Sequence, residues 1–269
     1  MSRGRIWFEA LSGSSGRQSD GPGSLLLAEA TLGGERVSYV ALAPDAQARF
    51  PRARGGEVGV EEGWYGARTI RRIIDADGDS TKRPIVTIVD AKSQAYGQRE
   101  ELVGIHLAAA ALISAYAEAR VAGHPVIALI VGRAVSASFL VLCGQANRVL
   151  AFDDEQVLVH AMYKDAAARI TRRTVEELDT LGATIVPMAY DIQSFDKLGG
   201  LYRLLQVASP DEPNVGTVEQ VKLAVIDAIA DARRGPRDLS SRLESEGAKQ
   251  YRKASLIVRT KMAEQWTAQ

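Results

Sequence analysis

The chain has 269 residues, 46% of them hydrophobic and 25% charged, a composition that supports a sizeable core and argues against wholesale disorder. Lys plus Arg is 33 and Asp plus Glu is 33, so no bulk charge draws it to nucleic acid or to an anionic membrane. A single cysteine, Cys143, excludes an internal disulfide framework and a cysteine-based metal site. No apolar run reaches the ~18 residues of a membrane span, and the N-terminus lacks the apolar middle of a signal peptide. A single cytoplasmic α/β domain over residues 1–269 is expected, with neither membrane nor nucleic acid as partner.

Residues 12–23, SGSSGRQSDGPG, are rich in Gly and Ser and read as a mobile loop. SLLLAEATL and ERVSYVALAP read as strands joined by a Gly33-Gly34 hairpin turn. EEGWYGARTIRRIIDAD has Trp64, Ala67, Ile70, Ile73 and Ile74 at helical spacing. RPIVTIVD is a short, β-branched apolar run ending at Asp90, as in a buried parallel strand. After the loop AKSQAYG, a long helix is expected from Gln98 to Ala122, its face formed by Leu102, Ile105, Ala109, Leu112, Ile113 and Tyr116, with Gly123 ending it. HPVIALIV reads as a second buried strand, then a short helix runs to Gly144, and NRVLAF and EQVLVHAM as further short strands. Thr174 with Glu177, and Thr217 with Gln220, have the spacing of capping boxes and predict helix starts. YRKASLIVRTKMAEQW predicts a last amphipathic helix, rich in Lys and Arg. Strand–helix–strand units without a dinucleotide fingerprint point to a stacked, spiral α/β arrangement.

The common catalytic fingerprints are absent: no G-x-G-x-x-G after a strand, no Walker loop, no H-E-x-x-H and no calcium loop. His106 and His124 read as core or turn histidines and Cys143 as a small buried hydrophobe. The informative stretch is VGRAVSASFL, Val131 to Leu140, which crowds Gly132, Ala134, Ser136, Ala137 and Ser138 between two apolar runs. A chain that leaves a strand and enters a helix here presents first-turn N–H groups with no intrahelical partner, at the positive end of the helix dipole. Small side chains would let a ligand oxygen reach those amides, as an oxyanion site requires. They would equally permit close strand–helix packing.

The segment VIALIVGRAVSASFLVLCGQANRVLAFDDEQVLVHAM resembles the crotonase and Clp-protease superfamily. RPIVTIVDAKSQAYGQREE, the long helix and HPVIALIVGRAVSASF are similar to the C-terminal half of acyl-CoA carboxylase carboxyltransferases. Through GRIWFEALSG, IVDAKSQAYGQREELVGI and AARITRRTVEELD, nearly the whole chain resembles the γ-subunit family of biotin-independent malonate decarboxylases. The resemblance implies a crotonase-like spiral of stacked strand–helix units. It also implies decarboxylation of a malonyl thioester, carried on the CoA-like prosthetic group of an acyl-carrier protein, to acetyl thioester. By position, the oxyanion donors would be the backbone amides of Ala137 and Ser138. Gly132, Arg133 and Ser136 would line the substrate, and His160 and Tyr96 are candidate proton donors to the enolate. The family pairs its γ subunit with a homologous β subunit, the active site lying between them, and adds an acyl-carrier protein and an acyl-carrier transferase. No metal is implied in this chain. The motif is poorer in glycine than in the carboxyltransferases and the loop after Asp90 lacks their Pro-Gly, which agrees with working without biotin.

The same window also resembles the proteolytic subunit of Clp protease. By position Ser136 would then be the nucleophile and His160 its base, with Asp191, Asp196 or Asp211 as the third member. Otherwise Ser136 would cap the short helix and His160 line a pocket. A non-catalytic scaffold subunit is the third class.

Overall fold

The computed structural model describes residues 1–16 and 20–267. It opens with a helix that the sequence reading did not anticipate, α1 (Arg3–Ser12), started by the Ser2 side chain and ended at Gly13 with φ 68°. Trp7 and Phe8 are its fully buried anchors. Of the stretch expected to be a mobile loop, residues 17–19 lie outside the described residues. Its near flank is tied down, since Leu27 N donates to the Gly16 carbonyl (2.9 Å).

The expected hairpin follows as β1 (Leu25–Leu32) and antiparallel β2 (Glu35–Leu42). Gly33 and Gly34 both have positive φ, 58° and 84°, which the two-residue turn demands. Next come α2 (Val60–Asp77), β3 (Ile85–Ala91), α3 (Gln98–Leu102), α4 (Ile105–Ala122), β4 (Val126–Val135) and α5 (Ala137–Leu142). β5 (Arg148–Phe152) and β6 (Leu158–His160) precede α6 (Lys164–Thr171), α7 (Val175–Thr184) and α8 (Ile192–Lys197). The chain ends through β7 (Arg203–Leu205), α9 (Val215–Arg234), α10 (Ser240–Leu243), α11 (Glu246–Tyr251) and α12 (Lys253–Thr267).

Among the described residues the sheet runs β1-β2-β3-β4-β5-β7, parallel from β2 onward. β3, β4 and β5 are buried along almost their whole length, hence their continuous apolar sequence. β4 positions the site because it changes neighbour midway. Ile127 to Ile130 pair with β5, whereas Arg133, Ala134 and Val135 pair with Leu158, Val159 and His160 of β6. On its other edge the β3 register slips between Val89 and Ala91. This handover lets β4 carry both β5 and β6 on one edge of a single sheet, within the expected crotonase-like arrangement of strand–helix units.

Several sequence expectations are corrected. The long helix is two, because Gly104 at φ 79° breaks it, and Leu102 and His106 are exposed. Trp64 is exposed too: α2 meets α4 through Gly63, where an added Cβ would lie 2.7 Å from the Ala108 backbone. α4 has the length and mean hydropathy (1.2) of a membrane span, but Ala108, Leu112, Ala115 and Tyr116 bury against the core. α7 has its full Thr174–Glu177 capping box, whereas α9 starts earlier than expected, capped by Asn214 instead of Thr217. α12 buries no residue and so presents no packed face. His124 and Cys143 are buried, as expected.

Candidate active site

β4 does not turn gently into α5. Ser136, between them, holds φ 63° and ψ −149°, a conformation nearly reserved for glycine. Two bonds hold it there: its N–H donates to the His160 carbonyl (2.7 Å) and its Oγ donates to Gln94 Oε1 (2.8 Å). Ser136 therefore occupies the N-cap position of α5 without capping through its side chain. Gln94, from the loop after β3, does that work instead, because its Oε1 also accepts from Ala137 N (3.2 Å).

The small residues of this stretch have different reasons to be small. A Cβ on Gly132 would collide with the Asp90 carboxylate, which accepts from Gly4 N (3.0 Å) and Arg133 N (3.3 Å). Ser138 is completely buried, its hydroxyl within hydrogen-bond distance of the carbonyls of Ala91 (2.7 Å) and Val135 (2.6 Å). It stitches the ends of β3 and β4 together, so its role exceeds that of a small filler. The backbone amides of Ala137 and Ser138 remain in the first turn of α5, where no intrahelical acceptor exists. Ala137 faces a largely apolar cleft of about 480 Å³, walled by Ser136, Phe139, His160, Phe195 and Leu198. Phe139 and Phe195 meet edge to face across 5.4 Å.

His160 ends β6 and stacks on Tyr190, ring centroids 3.7 Å apart. Its Nδ1 accepts from Met162 N (3.1 Å) and lies 2.9 Å from the Met162 carbonyl. Burial, reinforced by Lys164, lowers its pKa and favours the neutral imidazole. The Ser136 and His160 side chains share the cleft, but Oγ bonds Gln94 and the imidazole bonds Met162, so no hydrogen bond joins hydroxyl to ring. Asp211 pairs with Arg3 (2.7 Å), Asp191 caps α8, and burial, with Asp153, raises the pKa of Asp196; none of the three is bonded to His160. Among the described residues no Ser–His–Asp triad is assembled.

Tyr96, Gly132 and Arg133 are not in the walls of that cleft. Gly132 and exposed Arg133 border a neighbouring depression of about 240 Å³ with Asp90 and Lys92. Tyr96 is half exposed beneath the Arg52 guanidinium, 3.9 Å above its ring. Arg52 forks onto buried Glu57 (2.6 and 2.9 Å), which Lys92 also approaches at 3.6 Å. Tyr163 lies within the field of Arg133, Glu57, Tyr96 and Arg52, and burial raises its pKa. Gln94, Arg52, Glu57 and Tyr163 escaped the sequence reading: each is a lone polar residue in a loop, gathered only by the fold. Among the described residues no group of three or more His, Cys, Asp or Glu is placed to hold a metal ion.

The family model for the malonate decarboxylase gamma subunit matches residues 53–266. A chain of the Pseudomonas malonate decarboxylase hetero-tetramer solved with coenzyme A is 48% identical, with a TM-score of 0.94 over 99% of this chain and 100% of that one. A chain of the Pseudomonas MdcD-MdcE hetero-dimer is 47% identical, with a TM-score of 0.90 over 99% and 100%. The malonyl-S-ACP:biotin-protein carboxyltransferase MADD of Malonomonas rubra is 32% identical over 86% of this chain and 81% of its own. Transcarboxylase 12S, at 20% identity and a TM-score of 0.59 over 79% of this chain and 37% of its own, shares the fold.

Proposed function

The chain belongs to the malonate decarboxylase gamma-subunit family, and from that premise we propose that it builds an oxyanion site for a malonyl thioester. The observation that supports this is that Ala137, the first residue of α5, lines an apolar cleft. Loss of CO2 leaves the electrons of the broken C–C bond in an enolate whose negative charge rests on the thioester oxygen. Two N–H groups aimed at that oxygen, in surroundings poor in water, lower the barrier where charge develops. A proton delivered to the enolate carbon completes acetyl thioester. Neutral His160, at the cleft wall, is better placed to relay it than Tyr96, which lies under Arg52.

The substrate comes on the CoA-like arm of an acyl-carrier protein, loaded by an acyl-carrier transferase. A homologous β subunit completes the active site across the interface, in the cytoplasm. The hetero-dimeric and hetero-tetrameric assemblies of the Pseudomonas relatives support this pairing. The test is turnover of malonyl-carrier. The purified chain alone is expected to be nearly inactive and the paired chain active; full activity of the chain alone would sink the pairing.

Within the pair, Ala137→Pro deletes an N–H at a position where a helix accepts proline. It should lower kcat by about 10²–10³ while the complex still assembles. Ser136→Ala should keep most of the turnover, whereas a Ser–His hydrolase would lose nearly all of it and react with a serine-directed phosphonate. A scaffold subunit would show neither effect.

The Malonomonas rubra relative favours a second reading, in which the carboxyl passes to a biotin protein. Avidin separates the two: decarboxylation without biotin is insensitive to it, and carboxyl transfer is abolished.

A further inference from the structure

Gln94 occupies the place that the proposed chemistry needs empty. Its Oε1 accepts from Ser136 Oγ (2.8 Å) and Ala137 N (3.2 Å), and Ala137 N–H is one of the two donors assigned to the enolate. The orientation of this side-chain amide is fixed by chemistry. A backbone N–H only donates, so the atom facing it must be the oxygen and not the NH2.

The backbone of the loop is clamped on both sides of Gln94. Val58 N donates to the Ser93 carbonyl (3.0 Å), Ala95 N donates to the Val58 carbonyl (2.8 Å), and Val58 and Gln94 form a parallel bridge. The freedom that remains is in the rotatable side chain. An amide oxygen and a thioester carbonyl oxygen are acceptors of the same kind. One N–H cannot make a straight bond to both, so the two are exclusive occupants.

We infer that Gln94 gates the oxyanion site, its side-chain oxygen occupying the Ala137 amide until the thioester oxygen of the substrate displaces it. The inference rests on the oxyanion reading of Ala137. While empty, the site keeps its donor paired instead of leaving a partly buried N–H unsatisfied. Filling it requires the Gln94 bonds to open first, so apparent affinity is reduced by the fraction of molecules already open. The same side chain bonds Ser136 Oγ, so the gate and the strained turn are coupled.

The test is steady-state kinetics of the assembled complex on malonyl-carrier, with calorimetric binding of acetyl-carrier as a stable analogue that keeps the thioester oxygen and has no carboxyl to lose. Gln94→Met fills the space without a good acceptor. KM and the analogue Kd should each fall about fivefold, the weight of one net hydrogen bond. Gln94→Ala should behave alike and serves if the methionine variant fails to fold. Gln94→Glu puts a charged, stronger acceptor on the same amide and should raise KM more than about tenfold. A fall in kcat at unchanged KM in the neutral variants would mean that Gln94 acts only by holding the Ser136 turn, and would overturn the gate. So would KM and Kd unchanged in both neutral variants. If Ala137→Pro remains active, the oxyanion reading itself fails; if it is inactive while Gln94→Met leaves KM unchanged, only the gate fails.

Discussion

Ser138 divides its labour between side chain and backbone. Its hydroxyl faces inward to the carbonyls of Ala91 and Val135, and its N–H lies in the first turn of α5. Ser138→Ala keeps the amide but strips buried carbonyls of a donor, which should cost about 1–3 kcal/mol in a urea or thermal melt. Turnover should suffer far less than in Ala137→Pro; equal losses would mean that the hydroxyl, and not the amide, carries the chemistry. The buried histidines give a second prediction. Burial lowers the pKa of both His124 and His160. Unfolded histidine titrates near about 6.5, so on acidification the unfolded chain takes up protons first. Stability is full above that pH and declines as pH falls through it toward the lower folded values. His124 donates through Nδ1 to the Arg83 carbonyl (2.9 Å), and its Nε2 is buried without a partner. His124→Asn keeps a donor but removes the titration, and should flatten the fall in Tm between about pH 7 and 5. An unaltered slope would take His124 out of this account.

Between elements, α2 and α4 cross in close backbone contact at Gly63. Replacing Gly with Ala inside a helix ordinarily gains ~1 kcal/mol of propensity. Here the new Cβ would meet the Ala108 carbonyl carbon and oxygen, both at 2.7 Å, and backbone cannot rotate away. The steric term should win, and Gly63→Ala should destabilise by about 1–3 kcal/mol in chemical denaturation; a more stable variant would show that the helices can part freely. The same crossing marks the limit of what was legible in the sequence. Apolar spacing found α2, β3, β4 and β5, because burial on a sheet writes itself as period and run. It did not say which side of α2 faces inward: Trp64 shares the apolar helical spacing but is exposed, and the contact belongs to Gly63. The helix break at Gly104 escaped because one glycine in a helical pattern is also tolerated unbroken. The amides proposed above as an oxyanion site were suggested by the small residues and the family resemblance. Gln94 was not, because its role depends on the β3–β4 register and on a loop without periodicity.

At the scale of the whole molecule, α12 stands apart. Its 15 residues include exposed Ile257, Val258, Met262 and Trp266, and none is buried. A helix of this length is marginal in water on its own, since most helical stability in proteins comes from packing an apolar face. Its Lys and Arg side chains provide no such packing, and among its residues only Leu256 is even partly covered by the rest of the chain. The core, by contrast, closes without it: Trp7, Tyr116, Phe152 and the strands lie on elements that end before Lys253. Removing residues 253–269 should therefore leave the Tm of the isolated chain within about 2 °C, as expected of a segment that buries little apolar surface. In the isolated chain, amide hydrogens of 253–267 should exchange near the rate of a frayed helix, in contrast to β3 and β4. Pairing with the β subunit proposed above should slow that exchange, and the truncated chain should pair more weakly. Slow exchange in the isolated chain would mean that α12 is stable by itself. Unchanged exchange on pairing would place the subunit interface on another face, even with the active-site reading intact.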